Sequence, residues 1–137
     1  MFPKESHILV VDDSINIRNI VCDNLKRLGF SKMETAPDAN DAFSKLVSYS
    51  KTPNPVTLIL SDLNMPGPSG IDFLKQVREI DKFKELPFVL ITTESEKQAV
   101  IQAALAGVSA YIVKPFNLET LTKRLQEAWK KHHPPAP

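Results

Sequence analysis

The stretch "LILSDLNMPGPSG", Leu58 to Gly70, decides the fold. Its apolar opening reads as a buried strand. That strand closes on a carboxylate, Asp62, and the chain then breaks into a turn holding two prolines and two glycines. A carboxylate at the end of a buried strand must be hydrated, paired or bound to something. The rest of the chain decides which.

Working outward, apolar runs alternate with helical spacings. The run "HILVV" (7–11) is followed by Ile17, Val21, Leu25 and Leu28 at helical spacing, closed by Gly29. A weaker strand, "KMETA" (32–36), precedes a helical face of Ala39, Ala42, Phe43, Leu46 and Val47. The third strand is "VTLIL" (56–60) extended to Asp62, and Phe73, Val77 and Ile80 mark the helix after it. The fourth strand is "PFVLI" (87–91), with Val100, Ala104 and Leu105 on a helix over 95–106 that stops near Gly107. The fifth is "AYIV" (110–113), followed by Leu118, Leu121, Leu125 and Ala128 on a helix over 117–131. The ending "HHPPAP" (132–137) reads as a frayed end or the start of a linker.

Five strands alternating with five helices imply an α/β domain, a parallel sheet covered on both faces. Right-handed crossovers point every strand the same way, and ligands of such sheets bind beyond the carboxyl ends. Strand one ends in Asp12 and Asp13, strand three in Asp62, strand four in Thr92 and strand five in Lys114. Strand two offers only Asp38, shortly after its end. Singly, each has an ordinary reading. Asp13 or Ser14 suits the N-cap of the first helix, Thr92 or Ser95 that of the fourth, and a Lys after a strand is normally solvated. Together they differ, because three clustered acids repel one another unless a cation joins them. Oxygen donors without His or thiolate select a hard cation, Mg²⁺ before Ca²⁺.

The chain's 137 residues suit one domain. Its 17 basic against 16 acidic residues give no bulk attraction to nucleic acid or anionic membrane. No segment approaches the ~18 apolar residues of a membrane span, and "MFPKESH" lacks the apolar centre of a signal peptide. The single Cys22 cannot form an internal disulfide, which suits a reducing cytoplasm.

The segments "VVDDS" (10–14), "SDLNMPGPSGIDFLKQVR" (61–78), "ITTES" (91–95) and "AYIVKPF" (110–116) resemble the receiver domain of two-component response regulators, and within it the stand-alone chemotaxis type. The likeness covers the chain to about residue 130 and implies a flavodoxin-like sheet of order 2-1-3-4-5, with a receiver domain over 1–131 and a Pro-rich tail over 132–137. It further implies that Asp62 accepts a phosphoryl group. Asp13, Asp12 largely through water, Asp62 and the backbone carbonyl of Asn64 would hold Mg²⁺. Lys114 and Thr92 would meet phosphoryl oxygens, and Lys114–Pro115 would be cis. Thr92 and Tyr111 would form the switch, with Tyr111 swinging inward. Asn64 and Glu94 would tune dephosphorylation. The implied partners are a sensor histidine kinase as donor, an output protein such as the flagellar motor switch on the face of helix 95–106, strand 110–113 and helix 117–131, and a phosphatase. The implied protein is a cytoplasmic monomer, no enzyme beyond its own phosphorylation and dephosphorylation.

Some positions depart from the family pattern. Leu63 stands where chemotaxis members often carry Trp, Pro68 where Met and Ala39 where Gly are common, and the connection 48–55 is longer. The competing readings are a receiver cut from a larger regulator, an Asp-nucleophile phosphatase and a flavin binder of the same topology. The phosphatase would need D-x-D on the first strand, where this chain has adjacent acids. The flavin binder would need a phosphate loop where "DDSIN" (12–16) would repel phosphate.

Overall fold

The computed structural model describes residues 1–93 and 97–134. Five strands form one parallel sheet: β1 (His7–Val11), β2 (Lys32–Ala36), β3 (Leu58–Asp62), β4 (Phe88–Thr92) and β5 (Ala110–Val113). Between and after them lie α1 (Ile15–Arg27), α2 (Ala39–Ser50), α3 (Gly70–Arg78), α4 (Lys97–Leu105) and α5 (Leu118–His132). The spatial order is β2-β1-β3-β4-β5, as expected. The order reverses between β1 and β3, and at that reversal their carboxyl ends border a crevice.

The period-two geometry of strands divides the core in two. Leu9 and Val11 of β1, Ile59 of β3 and Leu90 of β4 meet Ala42 and Leu46 of α2 and Phe73, Leu74 and Val77 of α3. Ile8, Val10, Leu60, Val89 and Ile91 point the other way, to Val21 and Leu25 of α1 and Leu121, Leu125 and Ala128 of α5. Each wholly buried Leu, Ile or Phe contributes ~1.5–3 kcal/mol. β3 and β4 lie inside the sheet and are buried at every residue.

Helix ends follow local chemistry. Ser14, Asp38, Ser69 and Asn117 cap α1, α2, α3 and α5, each accepting a backbone N–H three residues on. Ser69 and Asp72 complete a reciprocal capping box. Gly29 takes the left-handed conformation (φ 100°) that ends α1.

Two sequence expectations need correction. β3 begins at Leu58 rather than at residue 56, because the Thr57 hydroxyl takes the His7 N–H (3.0 Å) that a ladder partner would otherwise take. β4 begins at Phe88, since Pro87 has no N–H and joins the sheet only by accepting from Ile59 (3.0 Å). Val100, Ala104 and Leu105 lie on α4 as expected, but its inward face is another. Ala103 is buried with Ala99 and Ala106 packed beside it, while Leu105 is 84% exposed. These small side chains, at i, i+4 and i+7, let the helix lie close over the sheet margin and turn its larger apolar residues outward. The last helix also runs one residue further than expected, to His132; residues 135–137 of the expected tail lie outside the described residues.

Gly70 is the tightest point of this framework. A Cβ there would lie 2.2 Å from the Asp62 carbonyl oxygen and 2.9 Å from Leu63 Cα, both backbone atoms. Gly70→Ala must push α3 off the end of β3. We expect a loss of about 1–3 kcal/mol or more, measured as a lower urea midpoint, and a wild-type midpoint would show that α3 yields freely.

Candidate functional site

The crevice between β1 and β3 collects the charge. The Asp12 N–H donates to Ala36 (3.1 Å), carrying the line of β1 one residue beyond its end. Asp12 Oδ1 accepts the Ser14 N–H (2.9 Å), so the residue that caps α1 also orients this carboxylate. Asp13 is exposed on the outer side of the turn. Asp62 closes β3, and its Oδ1 accepts the N–H of Leu63 (2.9 Å), with the N–H of Asn64 also facing the carboxylate. One oxygen from each of Asp12, Asp13 and Asp62 can be chosen so that all lie within 4.8 Å of one another.

One ammonium answers these three carboxylates. Lys114, just beyond β5, places Nζ 3.0 Å from Asp12 Oδ2 and 3.5 Å from Asp62 Oδ1. Its backbone N–H donates to the Thr92 carbonyl (2.7 Å), which ties the carboxyl end of β5 to that of β4. The Lys114–Pro115 peptide is cis, as expected. Thr92 is fully buried as the last residue of β4.

Burial pushes the Asp62 carboxyl above its ordinary value. Lys114 and the two amides oppose this shift, Asp12 adds to it, and the opposition does not cancel it. A hard cation answers this arrangement chemically. The donor set is oxygen only, two of the three acids are nearly closed to water, and the charge in excess is negative.

The expected residues Asp12, Asp13, Asp62 and Lys114 are thus brought together, with Thr92 and the Asn64 backbone at the margin. Tyr111 is half-buried in mid-β5, opposite Leu90 in the register. Leu90 and Tyr111 pack with the α2–α3 side of the core, and Thr92, two residues beyond Leu90, shares that face. Glu94 lies outside the described residues. One residue of the site escapes the sequence reading. Arg18 donates from Nη1 to the Asp12 carbonyl (2.7 Å) and braces the turn between β1 and α1. Its signal is a cation in the first turns of a helix, where the dipole favours acids, directly after "DD" (12–13).

Comparison with known proteins agrees with this geometry. The profile of the response regulator receiver domain matches residues 8–126. The chain belongs to that family. It is 41% identical over 119 residues to chemotaxis protein CheY1 of Helicobacter pylori, covering 87% of this chain and 93% of the relative. It is 38% identical over 128 residues to chemotaxis protein CheY-3 of Vibrio cholerae, covering 93% and 95%. The structure of Vibrio cholerae CheY4 superposes with a TM-score of 0.78 at 37% identity, over 90% of this chain and 98% of that one. The chain is a CheY-like receiver. Receivers of this type are signalling proteins rather than classical enzymes. No helix among the described residues is long and apolar enough to cross a membrane.

The site implies a test of its own. Because the Asp62 carboxyl is raised, the folded state holds that proton more tightly than the unfolded chain does. Ionisation therefore costs stability as pH rises from the ordinary carboxylate value toward the raised one. Asp62→Asn removes the charge and keeps the shape. It should raise the stability of the metal-free protein at neutral pH, read as a higher urea midpoint with unchanged slope. The gain should vanish below the ordinary carboxylate range. A lower midpoint at neutral pH would show that Lys114 already balances the site.

Proposed function

We propose that this protein is a phosphorylation-activated switch of a two-component pathway serving chemotaxis, with Asp62 as the phosphoacceptor. The observation that carries the reading is the convergence of Asp12, Asp13 and Asp62 around a single ammonium, Lys114. The names of the relatives, chemotaxis proteins matched over nearly their whole length, supply the pathway.

In the reaction an Asp62 oxygen attacks the phosphorus of a phosphohistidine on a sensor kinase. The P–N bond breaks, and its electron pair stays on the imidazole nitrogen, which takes up a proton. Two anions must meet, so the barrier is mostly charge and alignment. Asp12, Asp13, Asp62 and the Asn64 carbonyl would hold Mg²⁺, which when bound neutralises phosphoryl oxygens. Lys114 serves as a point charge for another phosphoryl oxygen. The buried floor around Asp62 holds the nucleophile with one oxygen fixed by the Leu63 N–H. Hydrolysis by water resets the switch, at a rate tuned by Asn64 and Glu94, with a phosphatase as an external control.

The readout begins at Thr92, whose hydroxyl turns to the new phosphoryl acceptor. Tyr111 on the same face of the sheet then moves inward. This reshapes the surface of α4, β5 and α5, where Val100, Ile101, Leu105 and Val113 present apolar side chains to solvent. An output protein such as the flagellar motor switch binds that face. The acting unit is a cytoplasmic monomer whose receiver domain is residues 1–131.

Acetyl phosphate or a phosphohistidine kinase should label the wild type on Asp62 only with Mg²⁺, and the label should decay within seconds to minutes at neutral pH. Asp62→Asn should fold and take no label. Acid-stable label on that variant, or label surviving overnight, would refute the assignment.

Thr92→Ala should still accept phosphate while losing the gain in partner affinity on activation. A gain of about twentyfold corresponds to about 1.8 kcal/mol, within the usual range of coupling. Partner titration with and without beryllofluoride measures it, and an undiminished gain in Thr92→Ala would remove Thr92 from the switch.

A further inference from the structure

At the amino edge of the sheet, opposite the acidic site, the Ser109 hydroxyl gathers three partners from distant parts of the chain. It lies 3.0 Å from the Phe88 N–H at the start of β4, 3.5 Å from Arg78 Nη2 at the end of α3 and 2.7 Å from His132 Nε2 at the end of α5. A hydroxyl has one proton to give and two lone pairs to receive with. The Phe88 amide can only donate and takes one lone pair, and the Arg78 guanidinium, also only a donor, faces the other from 3.5 Å. The Ser109 proton must then go to His132 Nε2, and that nitrogen must be bare. The imidazole is therefore neutral, with its proton on Nδ1.

We propose that His132 is a proton-operated latch, closed in its neutral form, that fixes the C-terminal end of α5 to the turn before β5. A second proton would sit on Nε2 and point at an oxygen with no lone pair left. It would also set a positive charge near the Arg78 guanidinium.

The other members of the cluster cannot easily make room. Ser109 donates its own N–H to the Phe88 carbonyl (2.8 Å), so it exchanges two bonds with that residue. Arg78 Nε donates to Gly107 (3.0 Å) and Nη1 to Leu86 (2.7 Å) and Phe83 (3.3 Å), bridging the connections before β4 and β5. The movable part is the end of α5, held otherwise by Lys131 on the Val108 carbonyl (3.4 Å) and by Trp129, edge-on to Phe2 and stacked on His133.

The charges facing His132 divide. Arg78, from α3, opposes protonation, and so does His133, the residue after α5. Glu85, from the connection before β4, favours it across 3.6 Å, but its side chain is 84% exposed and screened by water. Glu5, Asp81 and Lys82 line the same cavity. His132 Nδ1 is buried and makes no hydrogen bond among the described residues, with the Glu85 carboxylate just beyond that reach at 3.6 Å. Burial and Arg78 together hold the imidazole below its ordinary value. The sign follows. Neutral His132 stabilises the closed end of α5 at high pH, and that contribution is lost as pH falls from the ordinary value, ~6.5, toward the depressed one.

If α5 flanks the output face as proposed above, acidification loosens that face without touching Asp62. The latch itself does not depend on that reading, and its test requires no phosphorylation. Imidazole ¹⁵N and ¹³C resonances of the whole chain, followed against pH, should show His132 as the Nδ1–H tautomer at neutral pH, with a midpoint below ~6.5. Amide exchange protection in residues 128–132, corrected for intrinsic rates, should fall across that midpoint by about tenfold for each unit of depression. His132→Gln, whose side-chain oxygen can accept the Ser109 proton at any pH, should hold its protection constant. An Nε2–H tautomer at neutral pH, a midpoint at or above ~6.5, or an equal fall in His132→Gln would each overturn the latch.

Discussion

One imbalance organises this molecule. Three carboxylates meet where the strand order reverses, and a single ammonium faces them. Asp62 and Asp12 are nearly closed to water, so their charge is costly to hold. A fold without use for that arrangement would lose it readily. Here the surrounding backbone is committed to keeping it. Gly70 admits α3 directly over the end of β3, Ser14 serves Asp12 with its amide while capping α1, and Arg18 grips the Asp12 carbonyl. The site is preorganised by groups that have other structural duties, so its carboxylates are oriented before any ligand meets them.

The opposite edge of the sheet has the reverse character. Arg78 spends its donors on Gly107, Leu86, Phe83 and Ser109, binding α3 to the connections before β4 and β5. The carboxyl edge is crowded with negative charge, while Arg78 is well supplied with acceptors at the amino edge. The two central strands, buried at every residue, join them. By contrast, α4 is lightly held. Its contact is a row of alanines, and its larger apolar residues face solvent.

The sequence alone determined the number and order of elements, the direction of the sheet and the gathering of Asp12, Asp13, Asp62, Thr92 and Lys114 at one edge. These follow from short-range causes. Apolar period and run length identify strands and helices, and the handedness of crossovers does the rest. Only the tertiary structure decided three other matters. The inward face of α4 depends on where the helix crosses the sheet margin, and the sequence there is apolar on more than one side. The starts of β3 and β4 depend on which neighbour supplies each hydrogen bond, such as the Thr57 hydroxyl for His7. The Arg78–Ser109–His132 cluster joins residues 31 and 23 positions apart. His132 in sequence is merely the first residue of a polar, proline-rich end; packing against Ser109 half-buries it beside a hydroxyl, and the tautomer of an imidazole is set by the atoms it meets and not by its neighbours in the chain.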